Sequence, residues 1–88
     1  MVDNNFQPDW ASPPGDTIVD ILEEKNILIS VFAQQMGHSL EYTIELLQGH
    51  VIISMDIARQ LDKILGPSVE FWINRETQYR EDLARLQK

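Results

Sequence analysis

The chain has 88 residues, with 14 acidic against 7 basic side chains, a formal net charge of −7 and no cysteine. This composition excludes disulfides, thiol chemistry and a Cys-built zinc site, and with 43% hydrophobic and 24% charged residues it excludes extensive disorder. No apolar run approaches the ~20 residues that span a bilayer, and Met1-Val2-Asp3-Asn4-Asn5 lacks the basic start and apolar stretch of a secretion signal, so a cytoplasmic location is expected.

Residues 1–13 are polar and turn-rich and read as an N-terminal arm, with Trp10 expected to pin it to the body by burying its ring. Residues 14–88 read as a single domain. Ser12-Pro13-Pro14-Gly15-Asp16 opens the first helix, where a proline costs nothing because its missing N–H would have had no partner. Ile18, Ile21 and Leu22 follow helical spacing and should face the core. A second short helix is predicted after Asn26, running to about Met36 with Phe32, Ala33 and Met36 inward. Gly37 suits the positive φ of a tight turn, and Ser39 is placed to cap a third helix from Leu40 to Gln48, with Gly49 as its stop.

His50 to Ile53 form a linker. Ser54 caps a fourth helix whose apolar stripe is Ile57, Ala58, Leu61, Ile64 and Leu65, and Gly66-Pro67 ends it. Ser68 caps a long final helix through Phe71, Trp72, Tyr79, Leu83 and Leu86. On its outer side Glu76 should pair with Arg80 and Glu81 with Arg85, each contributing about 0.3 kcal/mol.

Five helices with short links define an all-α fold. The glycine turn between two of them fits a compact helix-turn-helix domain, with another small helical bundle as the alternative. Charge is distributed unevenly over this frame. Residues 26–58 carry Glu41, Glu45 and Asp56 and neither lysine nor arginine, and every arginine lies after them.

Trp10-x-Ser12-Pro13-Pro14-Gly15-Asp16-Thr17-Ile18 and Phe32-Ala33-x-x-Met36-Gly37-x-Ser39 resemble the XRE-class helix-turn-helix domain in its HigA antitoxin branch. Glu41-Tyr42-x-x-Glu45-Leu46-x-x-Gly49, Ile53-Ser54-x-x-Ile57-Ala58-x-x-Leu61-x-x-x-Leu65-Gly66 and Phe71-Trp72-Ile73-Asn74 continue the likeness, which covers about residues 8–80. The resemblance implies a lambda-repressor-like, five-helix domain with a long C-terminal helix. It also implies a homodimer that places helix 3 of each subunit in successive major grooves of an operator, and a partner toxin. By position in the motif, Ser39, Leu40, Glu41 and Glu45 would look toward base edges, with Ile29, Gln48 and His50 near phosphates; the helix N-termini at Ser30 and Ser39 can donate backbone N–H groups to phosphate.

Three positions depart from the family pattern. Leu28 stands where Ser or Thr is usual, Ile29 where Gln is usual and His50 where Lys or Arg is usual. DNA affinity comes largely from cations that displace counterions from phosphate, and the motif offers none from Lys or Arg. Glu41 and Glu45 can accept from cytosine N4, yet they repel the backbone; the plainer reading of Glu41, Glu45 and Gln48 is a solvated face. Leu28, Ile29, Leu40, Ile44, Val51 and Ile52 open a second possibility, a helix-turn-helix-derived protein-interaction module that has lost operator binding. The simpler alternative for Ile44, Val51 and Ile52 is that they complete the core.

Trp72, Tyr79, Leu83 and Leu86 form an apolar seam expected to meet a dimer mate or a toxin, the alternative being packing on its own domain. His38 with Glu41 could begin a metal site but has no evident third ligand, so no metal and no cofactor are expected. The absence of a Gly-rich phosphate loop, an HExxH motif, a nucleophile elbow and cysteine argues against an enzyme.

Overall fold

The computed structural model describes residues 11–87. The anchoring expected of Trp10 falls outside them. The described chain is all-helical, in the order α1 (Pro14–Glu24), α2 (Ile29–Met36), α3 (Leu40–Leu47), α4 (Met55–Leu65) and α5 (Val69–Leu86). This is the compact five-helix, lambda-repressor-like arrangement with a long C-terminal helix.

Local chemistry sets the helix boundaries. The Ser39, Ser54 and Ser68 hydroxyls accept from the N–H groups of Tyr42, Ile57 and Phe71 at 3.1, 3.3 and 3.1 Å, each cap being worth about 1 kcal/mol. α1 has no side-chain cap and starts on a proline. α2 has none either, because Leu28 occupies its N-cap position. Gly37 ends α2 at φ 75°, and the N–H groups of Gly37 and His38 turn back to the carbonyls of Gln34 and Ala33. That left-handed corner, strained for any residue with a Cβ, redirects the chain into α3.

Ile18 and Leu22 of α1, Phe32 and Met36 of α2, Leu46 of α3, Leu61 of α4 and Trp72 of α5 converge on one core. Gln60 Nε2 donates to the Met36 carbonyl at 2.9 Å, fastening α4 to the end of α2. Gly15 does more than open α1: a Cβ there would lie 1.8 Å from the Leu47 carbonyl oxygen, so the α1 backbone rests directly on the end of α3.

α5 differs from its expected pattern. Trp72 is 0% exposed and Tyr79 is buried, so both belong to this chain's own core and offer nothing to a partner. Only Leu83, half-buried, and Leu86, exposed, extend the seam outward. The Glu76–Arg80 pair is not an outer-surface pair. Glu76 is buried, and Arg80 bonds it while also donating to the carbonyls of Gly49 and Val51. Arg85 pairs with Asp82 at 3.3 Å rather than with Glu81. The i,i+4 spacing was right for Glu76, but the side facing the core was misassigned because Trp72, Glu76 and Tyr79 share it.

Candidate nucleic-acid interface

α3 is eight residues long and buries Thr43 and Leu46. Thr43 Oγ1 donates to the Ser39 carbonyl at 2.9 Å, so the hydroxyl is satisfied within the helix and the side chain can serve as core. With 100° between successive residues, the opposite side is fixed. Leu40 and Ile44 form one flank of the outward face, Glu41 and Glu45 the other, and Gln48 lies between them. All five are exposed. The turn at Gly37 therefore presents α3 as an outward-facing segment.

The other candidate residues surround it. Ser39 is exposed although its hydroxyl is used in capping. Ile29 and Ser30 are exposed at the start of α2, whose first N–H groups have no side-chain cap. His50, just past α3, places Nδ1 2.9 Å from Glu45 Oε1, so it is engaged within the face. His38 packs against Tyr42 at a tilt of 39°, with ring centroids 4.4 Å apart. No group of three residues able to hold a metal occurs among the described residues.

Electrostatically the face is acidic and bare of strong cations. Cations elsewhere are largely committed. Arg75 donates to the Ser12 and Pro13 carbonyls and to Thr17 Oγ1, tying α5 to the start of α1. Arg80 is held as described, Arg59 pairs with Asp56 at 3.5 Å and Arg85 with Asp82. Arg59 and Lys63 are nonetheless exposed on α4, within one helix of α3 in sequence.

The apolar surface has a matching distribution. Among the described residues the exposed large hydrophobics are Leu28, Ile29, Val31, Leu40, Ile44, Ile52 and Met55, with only Phe71 and Leu86 elsewhere. Ile44 and Ile52 do not complete the core; Val51 does pack against it. Val31 and Met55 were not among the expected surface residues. Arg80 and Gly15, which position α3, were also missed: their contacts lie 31 residues away in the first case and on a bare backbone in the second, and no local period marks either.

A glycine-cornered helix pair with an exposed, serine-capped second helix inside a five-helix bundle is a helix-turn-helix domain. No protein-family model matches the chain. It is 31% identical to a protein from Nostoc punctiforme described as an antidote of a plasmid maintenance system, whose crystal structure superposes with a TM-score of 0.78 over 89% of this chain and 86% of that one. The chain belongs to the XRE-class, HigA-like family of helix-turn-helix antitoxins and transcriptional regulators. The HTH-type transcriptional regulator YddM of Escherichia coli K12 is 28% identical over 85% of this chain and 87% of its own length. The fold is also shared with Pseudomonas aeruginosa antitoxin HigA with the higBA promoter, at 24% identity, a TM-score of 0.76 and coverage of 85% of this chain and 83% of that one. No helix among the described residues is long and apolar enough to cross a membrane.

Proposed function

We propose that this protein is a non-catalytic, antitoxin-like regulator that reads an operator with α3 and uses the outer end of α5 against a dimer mate or a toxin. The observation that carries this reading is the outward presentation of α3: the Gly37 corner, the Ser39 cap and the Thr43–Leu46 inner face leave Leu40, Glu41, Ile44, Glu45 and Gln48 exposed together. The Pseudomonas aeruginosa HigA that shares this fold was solved with its higBA promoter, which supports a DNA-binding reading in general.

On this reading Glu41 and Glu45 accept from base amino groups such as cytosine N4. Phosphates are met by uncapped N–H groups at the start of α2 and by Arg59 and Lys63 at the flanks, rather than by cations in the motif. Leu83, half-buried, and Leu86, exposed, supply the apolar contact of α5.

Fluorescence anisotropy with DNA from immediately upstream of the coding region tests the operator reading. Binding that persists at about 150 mM salt and prefers that DNA to a scrambled duplex is the expected result. Equal binding to both duplexes would refute it.

A further inference from the structure

α3 ends in a frame built around His50. Gly49 takes φ 84°, which turns the chain so that its N–H donates to the Leu46 carbonyl at 3.1 Å and the His50 N–H to the Glu45 carbonyl at 3.0 Å. Such a left-handed stop closes the last turn of a helix. The side chains repeat the link, with His50 Nδ1 2.9 Å from Glu45 Oε1. From α5, Arg80 donates to the carbonyls of Gly49 and Val51, the residues on either side of His50. Main chain and side chain thus hold the imidazole together, yet its side chain is 60% exposed. The charged groups beside it are Glu45, Arg80 and the Glu76 bonded to Arg80, and the Tyr79 hydroxyl lies against the neighbouring Gly49.

The bond to Glu45 determines what the other ring nitrogen can do. An ionised carboxylate only accepts, so Nδ1 carries the hydrogen. In the neutral ring Nε2 is then a lone pair, which repels a phosphate oxygen. In the protonated ring it is a charged N–H donor, which binds one. No hydrogen bond of this Nε2 occurs among the described residues. Imidazoles make the change between about pH 5 and 8. His38 and His50 are the only side chains in residues 26–58 that can become cations. His38, half-buried, packs against Tyr42 and has no carboxylate bond among the described residues to orient it.

We infer that His50 is a proton-dependent phosphate ligand at the end of α3, oriented by Glu45 and held in place through Arg80. The inference rests on that part of the operator reading which seats DNA on α3, not on sequence preference. Glu45 Oε1 takes the imidazole and Oε2 is left for a base amino group. Above the imidazole range the outward face has no cation, and DNA binding takes up a proton to make one. Affinity therefore rises as pH falls, by up to about tenfold per pH unit for one linked proton.

Fluorescence anisotropy with the upstream duplex and a scrambled one, at about pH 8 and about pH 6 and matched ionic strength, tests this. Affinity should rise at least about fivefold on acidification, for both duplexes, because phosphate is common to them. The slope of log K against log salt should steepen by about 0.9. His50→Gln should cut the response to under about twofold, His50→Arg should bind without pH dependence, and His38→Gln should keep the wild-type response. Circular dichroism melts verify that the variants remain folded. Unchanged wild-type affinity between the two pH values, or a response that survives in His50→Gln, would overturn the inference. Equal binding to the two duplexes with the response intact would overturn the operator's sequence reading and leave this contact standing; no binding of either duplex would overturn both.

Discussion

Arg80 Nη2 donates to the backbone carbonyl of Gly49 at 3.0 Å, joining the C-terminal helix to the residue that follows α3. The same guanidinium reaches the Val51 carbonyl at 3.4 Å and bonds the buried Glu76. The far end of the outward helix is thus held by α5 as well as by α1, whose Gly15 rests on the Leu47 carbonyl. Arg80→Met should cost roughly 3 kcal/mol, because it leaves a buried carboxylate without its partner. The double variant Glu76→Leu/Arg80→Met should recover a large part of that loss. Urea denaturation of the two variants measures both; a double variant less stable than the single one would contradict this assignment.

The two glycines that set the pose of α3 should respond differently to alanine. Gly15→Ala drives a Cβ into the Leu47 carbonyl and has no flexible neighbour to displace, so a loss at the upper end of the 1–3 kcal/mol typical of overpacking, about 3 kcal/mol, is expected. At Gly37 nothing lies within 4 Å of an added Cβ, and only the left-handed backbone at φ 75° is penalised, by about 1–2 kcal/mol. Melting temperatures should therefore rank wild type, then Gly37→Ala, then Gly15→Ala.

Positions on α5 separate core from surface. Trp72→Ala should cost about 3–5 kcal/mol, since the indole is wholly enclosed. Leu86→Glu should leave stability within about 0.5 kcal/mol of wild type. If the outer end of α5 contacts a dimer mate, Leu86→Glu should weaken self-association in sedimentation equilibrium; an unchanged monomer–dimer balance would remove Leu86 from that contact.

Salt dependence should show the shortage of cations. Each phosphate neutralised by a Lys or Arg contributes a slope of about −0.9 in log K against log salt, so contacts limited to Arg59 and Lys63 give roughly −2. Gln48→Arg, at an exposed position on the outward face, should steepen the slope by about one such contact and raise affinity for any duplex. An unaltered slope would show that Gln48 does not face phosphate.

The helical frame was legible in the sequence because its signals are local. Ser39, Ser54 and Ser68 each cap the helix that follows within three residues, Gly37 marks its own corner, and the stripe from Ile57 to Leu65 has a clean period. The surface of α3 was legible for the same reason, since Thr43 and Leu46 on one side leave the remaining positions outward. What was not legible depends on long-range contact. Tyr79 and Trp72 are apolar on either reading of α5, and only the packing of α1 and α4 against that helix shows that they are enclosed. The i,i+4 pairing of Glu76 with Arg80 suggests a surface pair; the burial of Glu76 depends on the other partners of Arg80, the Gly49 and Val51 carbonyls, which carry no side-chain signature.

Chemical-shift mapping of the isotope-labelled chain, titrated with the upstream duplex, asks most directly whether the outward side of α3 is the working surface in operator reading. The account predicts that the largest amide perturbations fall at Ile29 and Ser30 and from Ser39 to Gln48, with the buried positions of α5 unchanged. Perturbations confined to Leu83–Leu86, with α3 silent, would contradict it.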